Sequence, residues 1–258
     1  MNFKSKKDRS VAIQQSLMNG GALYPLSFFD SRRYIQHNPV IEDGVGPILQ
    51  FMDRLPAGER SVRSYRAIED GDYSVVHNDY RLGEWGAMAA FEVHRWENDR
   101  IVEHWDNLQA LSTEPNVSGR TMIDGASQVT DHASTASNKA LIERFIREVL
   151  IGGSRTLASF FAGNALIQHS PHYGDGVDAL LNELSSRNYI YERLHKVLGE
   201  GNFVLAMSEG IGSRDSSPPK QTSFYDLYRL ADGVIAEHWE VVETIAPLDQ
   251  WRNTNGKF

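Results

Sequence analysis

Two rhythms of apolar residues run along the chain, one helical and one alternating. In "KALIERFIREVL", residues 139–150, Leu141, Ile142, Phe145, Ile146, Val149 and Leu150 share one broad helical stripe, which predicts an amphipathic helix laid on a core. The Gly152-Gly153 pair stops it. A short helix ending in a Phe-Phe pair follows, then a strand and a Pro-containing turn, then a helix of about ten residues from Val45 and again from Val177. Strand-like runs come next, over 61–69, 73–82, 86–97 and 100–109, with "EDGD" (69–72) and "END" (97–99) as hairpin turns. Helices followed by antiparallel strands predict an α+β fold, with helices covering one face of a curled sheet.

The pattern is written twice. Superposing His37 of "YIQHNPVIEDG" on His169 of "ALIQHSPHYGDG" also superposes Gly20-Gly21 on Gly152-Gly153, Phe28-Phe29 on Phe160-Phe161, and Asp43-Gly44 on Asp175-Gly176. Further on, "HRWENDRIVEHWDNLQ" (94–109) matches "YRLADGVIAEHWEVVE" (228–243), so that Glu103-His104-Trp105 meets Glu237-His238-Trp239. A tandem duplication is expected, with a first domain over 1–111, a linker over 112–136 and a second domain over 137–258. The linker is rich in Ser, Thr, Gly and Asp and lacks a sustained apolar period. Met122 and Ile123 are the residues able to pin it to a surface.

Composition narrows the chemistry. The 258 residues suit two domains of about 100–150 residues, and 41% hydrophobic with 23% charged residues is ordinary for a globular chain. A net charge of −8 and a pI near 5.6 oppose a broad phosphate-binding surface, so no nucleic-acid partner is expected. The one basic cluster, "KSKKDR" at 4–9, reads as a solvated lead-in to a helix. There is no apolar run long enough for a membrane span and no secretory-type start, so no membrane partner is expected and cytoplasm is the default location. The absence of cysteine removes disulfides, thiolate zinc sites and cysteine nucleophiles.

With the "QHNP…DG" turn and the closing "RWENDRIVEHWD" hairpin in view, the sequence resembles the SnoaL-like, polyketide-cyclase branch of the nuclear transport factor 2-like superfamily, over nearly all of both halves. The resemblance implies two cone-shaped, strongly curved mixed sheets, each with N-terminal helices packed on it and a pocket between sheet and helices. Relatives of this architecture include aldol-type cyclases, ketosteroid isomerases, epoxide hydrolases and modules without chemistry, so fold alone does not give function. In the cyclases an aspartate on the last strand is the acid/base, and it aligns with Asp106 and, in the second half, with Glu240. Their partner histidine aligns with Glu92 and Asp226, a departure from the cyclase pattern in both halves.

Strand alternation puts His104 and Asp106 on one face, Glu103 and Trp105 on the other. His37 and His169 precede a Pro-containing turn and either cap it or offer a donor to a carbonyl. Asn38 and Ser170 at the next position suit turn formation and are left out of the chemistry. His77 aligns with Met207, so it is either a catalytic group present in the first half alone or a satisfied core histidine. No HxH or HExxH spacing supports a metal, and the two histidines of "HSPH" (169–172) lie on a turn, so none is expected. Phosphate-loop and nucleophile signatures are absent as well, and no cofactor is expected.

The expected function is general acid/base catalysis on an enolisable small molecule. Asp106 moves the proton, His77 or His37 stabilises the enolate oxygen, and Glu92, His104, Trp105, His169, Asp226, His238 and Glu240 line the pockets. The alternative is a non-catalytic ligand-binding or assembly protein of the same fold. The two halves are expected to form an intramolecular pseudo-dimer, with further homodimerisation left open.

Overall fold

A computed structural model describes residues 5–19, 24–55, 58–214 and 218–258. The Gly20-Gly21 pair used in the alignment, with Lys4 of the basic cluster, lies outside the described residues. The chain divides into two compact units, one of residues 1–111 with 246–258 and one of residues 112–245. This division differs from the sequence-based one at two places: the expected linker belongs to unit 2, and the last residues of the expected second domain belong to unit 1. The cause is backbone capture. Asn116 is hydrogen-bonded to three carbonyls of unit 2 and Asn253 to two of unit 1, contacts that no local pattern announces.

Unit 1 runs helix α1 (Lys6–Asn19), a 3-10 turn (Tyr24–Phe28), strand β1 (Ile35–Gln36), helix α2 (Val45–Arg54), then strands β2 (Arg60–Asp70), β3 (Tyr73–Leu82), β4 (Ala87–Glu97) and β5 (Arg100–Ala110). Unit 2 runs helix α3 (Thr135–Phe145), strand β6 (Ile167–Gln168), helix α4 (Val177–Ser186), then β7 (Tyr189–Glu200), β8 (Phe203–Gly212), β9 (Lys220–Ala231) and β10 (Val234–Thr244). Each unit forms one five-stranded mixed sheet, in the orders β1-β5-β4-β3-β2 and β6-β10-β9-β8-β7. Both short strands pair in parallel with the last strand: Gln36 lies opposite His104, and Gln168 opposite His238.

The hairpin turns fall where Gly, Asn and Asp accept positive φ. Gly71 at φ 57° closes β2–β3, Asn98 and Asp99 at 49° and 61° close β4–β5, and Asp232 and Gly233 at 51° and 76° close β9–β10. The expected helix over 139–150 begins earlier and changes pitch, continuing beyond Phe145 as a π-helical turn over Ile146–Ile151. That turn keeps Ile146 and Val149 in the core with Ile142 and Phe145. Gly152 ends it where a Cβ would stand 2.8 Å from the Glu148 carbonyl oxygen, so no other residue fits without a shift.

The core of unit 1 gathers Ile13 and Met18 of α1, Phe28, Ile48 of α2, Trp96 and Ile101. That of unit 2 gathers Ile142 and Phe145 of α3, Phe160, Leu180 of α4, Tyr228 and Ile235. Helix α1 packs on β2 and β3, and α3 on β7 and β8. One sheet face of each unit is therefore covered by helices, and the candidate sites lie on that face. No helix among the described residues is long and apolar enough to cross a membrane.

Candidate functional site

Unit 1 holds a cavity of about 330 Å³ between the sheet and helices α1 and α2. Its walls are largely apolar, with Leu17, Ile48, Phe51, Met52, Leu82 and Leu108 among them, and Trp85 stacks on Phe51 with ring centroids 5.1 Å apart. A polar row crosses the sheet at its floor: Gln36, Glu92, His94, His104 and Asp106. Pairing explains the row. Glu92 lies opposite Asp106 and His94 opposite His104 on adjacent strands, so four side chains of β4 and β5 emerge on one face.

Hydrogen bonds fix the protonation of this floor. His104 Nε2 lies 2.7 Å from Glu92 Oε2, and His104 Nδ1 lies 2.9 Å from Gln36 Oε1. The Asn38 backbone N–H donates to the same Gln36 oxygen at 2.8 Å, which fixes the amide orientation. Both ring nitrogens of His104 thus face acceptors, an arrangement that favours the imidazolium form. Burial alone lowers its pKa, but the hydrogen bond and charge of Glu92, joined by Asp106, outweigh that and raise it. His94 behaves oppositely: burial, with the His104 cation beside it, drives it well below the usual histidine range. Its Nδ1 lies 3.1 Å from Ser10 Oγ, and its ring stacks on His104 at 5.2 Å.

Asp106 is held from the turn. Asn38 Nδ2 donates to its Oδ2 at 2.8 Å, while Oδ1 is buried without a hydrogen bond among the described residues, 3.6 Å from Lys257 Nζ. The Tyr80 hydroxyl lies 2.9 Å from Glu92 Oε1 and 2.6 Å from Gln14 Oε1. Burial, with Glu92 and Asp106 nearby, pushes Tyr34 and Tyr80 well above the usual tyrosine range and keeps both as O–H donors. Gln36 Nε2 is a buried donor with no hydrogen-bond partner among the described residues.

Five expectations are corrected. His77 lies opposite Phe91 on β4, stacks on it at 4.3 Å and contacts Arg66 (3.1 Å), all on the face turned away from Glu92 and the cavity. His37 stacks on Trp105 at 4.5 Å, and its nitrogens face Gly256 O and Glu103 Oε1, each at 2.9 Å. Trp105 is on that same reverse face, away from this cavity. His169 repeats the arrangement in unit 2, on Trp239 and Glu237. Neither His77 nor His37 reaches an enolate in this cavity. Asn38 and Ser170, set aside as turn formers, hold the two carboxylates instead, Ser170 Oγ donating to Glu240 Oε1 at 2.5 Å.

In unit 2 the corresponding cavity is only about 30 Å³, the space of roughly one water. His238 and Glu240 line it with Tyr173, Tyr189, Tyr191 and Tyr228, while Asp226 is fully enclosed beside it. His238 Nε2 lies 3.0 Å from Asp226 Oδ1, and its Nδ1 faces the amide donor Gln168 Nε2 at 3.0 Å, so Nδ1 is the acceptor there. Burial raises the pKa of Glu240.

Reading alternation along β4 and β3 from Glu92 would have found His94 and Tyr80; no strand or helix pattern marks Lys257. Two triads, Glu92–His94–His104 and Asp226–His238–Glu240, bring ligand atoms within 4.8 Å of one another. In each a histidine already touches a carboxylate directly, at 2.7 and 3.0 Å. A cation held at about 2.0–2.2 Å from both would have to part that pair.

No protein-family model matches the chain, and no curated protein matches it in sequence. Solved structures resemble parts of it. A candidate ketosteroid isomerase from Kribbella flavida DSM 17836 is 12% identical, with 44% of this chain and 84% of that one covered and a TM-score of 0.37. A candidate SnoaL-like polyketide cyclase from Jannaschia sp. CCS1 is 18% identical over 46% and 92% (TM-score 0.35). An epoxide hydrolase of LEH-like type from M. tuberculosis is 16% identical over 43% and 85% (TM-score 0.34).

Proposed function

We propose that the chain is a tandem pair of SnoaL-like domains in which unit 1 catalyses proton transfer next to a carbonyl of an apolar small molecule, without a cofactor, and unit 2 is a supporting copy. The observation that carries this is the floor of the 330 Å³ cavity, where an Asn38-anchored carboxylate and a histidine paired to Glu92 share one face.

The Asp106 carboxylate takes the proton from the carbon beside the carbonyl, and the C–H electrons move to the carbonyl oxygen. The Tyr34 hydroxyl is the donor for that oxygen, and the His104 cation stabilises its charge among largely apolar walls. Return of the proton to another carbon isomerises the substrate. Attack of the enolate carbon on a second carbonyl of the same molecule closes a ring, and Asp106 then protonates the new alkoxide. The cavity suits a substrate larger than the benzene-sized guests held by cavities of about 150 Å³.

The test is hydrogen–deuterium exchange into 2-tetralone in D₂O, followed by NMR. Asp106→Asn should lower catalysed exchange by about 100-fold or more with affinity nearly unchanged, while Glu240→Gln leaves it intact. Exchange that survives in Asp106→Asn sinks the assignment. Binding by the wild type with exchange no faster than buffer turns the reading to a ligand carrier.

A further inference from the structure

The segments that follow the last strand of each sheet carry a common motif. After β5 the chain reads Asn116-Val117-Ser118-Gly119-Arg120, part of unit 2; after β10 it reads Asn253-Thr254-Asn255-Gly256-Lys257, part of unit 1. Asn253 Nδ2 donates to the carbonyls of Asn38 and Ile41, both at 2.8 Å, and Asn255 Nδ2 to that of Gln36 at 2.9 Å. Asn116 Nδ2 donates to the carbonyls of Gln168 (2.8 Å), Ser170 (3.0 Å) and Tyr173 (3.0 Å), the same positions of the other turn. Two residues on, each segment folds back on its asparagine: Asn255 N–H meets Asn253 Oδ1 at 3.1 Å, and Ser118 N–H meets Asn116 Oδ1 at 2.9 Å. The turn histidine completes each dock, with His37 Nδ1 2.9 Å from Gly256 O and His169 Nδ1 2.9 Å from Thr121 O.

The two docks part at the fifth residue of the motif. Arg120 turns outward to Asp175 at 3.1 Å, its side chain 40% exposed. The Lys257 side chain is 2% exposed, with its ammonium 3.6 Å from Asp106 Oδ1. We propose that Lys257 is a positioning residue for Asp106, carried to the back of the cavity floor by an arm that docks on the Gln36-His37-Asn38 turn. Asn38 holds one carboxylate oxygen and Lys257 draws the other, so the anion keeps one orientation toward the cavity. A buried carboxylate without such a partner would be strongly disfavoured.

Groups facing this carboxylate from the surrounding elements are Asn38 on the turn, Glu92 and His94 on β4, His104 on β5, Tyr80 on β3 and Tyr34 before β1. Glu92 opposes its charge, and His104 with Lys257 supports it. The role of Lys257 in turnover rests on the proposed proton transfer by Asp106; its placement against Asp106 does not.

The test is a ¹³C carboxyl NMR titration of the full chain, with the Asp106 signal identified by its loss in Asp106→Asn. Lys257→Met should raise that signal's midpoint by about one pH unit or more, Lys257→Arg should restore most of it, and Arg120→Met should leave it in place. An unmoved midpoint in Lys257→Met overturns the proposal, as does an equal move in Arg120→Met. If Lys257→Met does not fold, Lys257→Gln carries the same expectation at closer size. The titration follows protonation and not turnover, so its outcome stands whether or not the wild type exchanges ketone protons.

Discussion

On β3, Tyr80 stands opposite Val62 of β2, and its hydroxyl lies 2.9 Å from Glu92. At the matching pair of unit 2, Gly210 of β8 stands opposite Tyr191 of β7, and it is Tyr191 that places a hydroxyl 3.2 Å from Asp226. The same contact is made from a neighbouring strand. A side chain cannot leave β8 there, because a Cβ on Gly210 would stand 1.9 Å from the Ile190 carbonyl oxygen, next to the register shift between Tyr191 and Arg193. The consequence is volume. With Tyr191 arriving from β7, Tyr228 where unit 1 has His94, and Tyr173 where it has Ile41, the space before the carboxylate falls from about 330 to about 30 Å³. Strand order is shared by the two units, so the order alone does not decide whether there is a pocket; the register beside Gly210 and a few aromatic side chains do.

Emptying the second cavity should break the contrast. Tyr191→Ala removes a ring stacked on Phe224 at 4.2 Å and should cost about 3–5 kcal/mol of stability, as for other large-to-Ala core changes, read from urea unfolding. Calorimetry with 2-tetralone should then find two sites per chain in the variant against one in the wild type. Two sites in the wild type would show that the present packing of unit 2 does not exclude ligand.

Much of the frame was legible because it is local. Positive-φ residues fall at the turns predicted by "EDGD" and "END", and α2 and α4 start at the predicted Val45 and Val177. Alternation on β5 was enough to join His104 and Asp106, and the family resemblance pointed to Glu92 across from them. What stayed hidden depends on register and on distant chain. His77 is turned away because β3 pairs with β4 so that Val76 lies opposite Glu92 and His77 opposite Phe91; a slip of one residue would have reversed the face. The direction of His37 is set partly by Gly256, and the surroundings of Asp106 by Lys257, both on a polar segment with no strand or helix pattern.

The stacked histidines His94 and His104 sharpen the comparison through pH, since Tyr228 replaces one of them in unit 2. His104 has a raised folded pKa, so its stabilisation is complete below the unfolded value near about 6.5 and fades as pH rises through the folded one. His94 has a depressed folded pKa. The unfolded chain binds its proton first, so stability is lost as pH falls from about 6.5 toward the folded value. In urea unfolding at pH 5.5 and 8, His104→Gln should lose more stability at the lower pH. His94→Gln should fare better at the lower pH than at the higher. Parallel behaviour of the two variants would contradict the charge arrangement drawn for this floor.

The smallest expected effect separates the two carboxylates. Glu240 is raised by burial first, with Asp226 and Glu183 adding to it against His238 and the Ser170 hydrogen bond. A carboxyl whose folded pKa exceeds its unfolded one contributes stability at low pH and loses it as pH rises through the folded value. The charged form of the side chain is therefore a burden on unit 2. Glu240→Gln should remove it, because the amide oxygen still accepts from Ser170 Oγ, and should raise stability at pH 7 by up to about 1 kcal/mol, with the gain vanishing below pH 4. Asp106→Asn should do the reverse at pH 7, since it removes the carboxylate charge beside the buried Lys257 ammonium. A gain in both variants would mean that Lys257 gives Asp106 nothing that Ser170 does not give Glu240, and the functional distinction between the two units would lose its electrostatic basis.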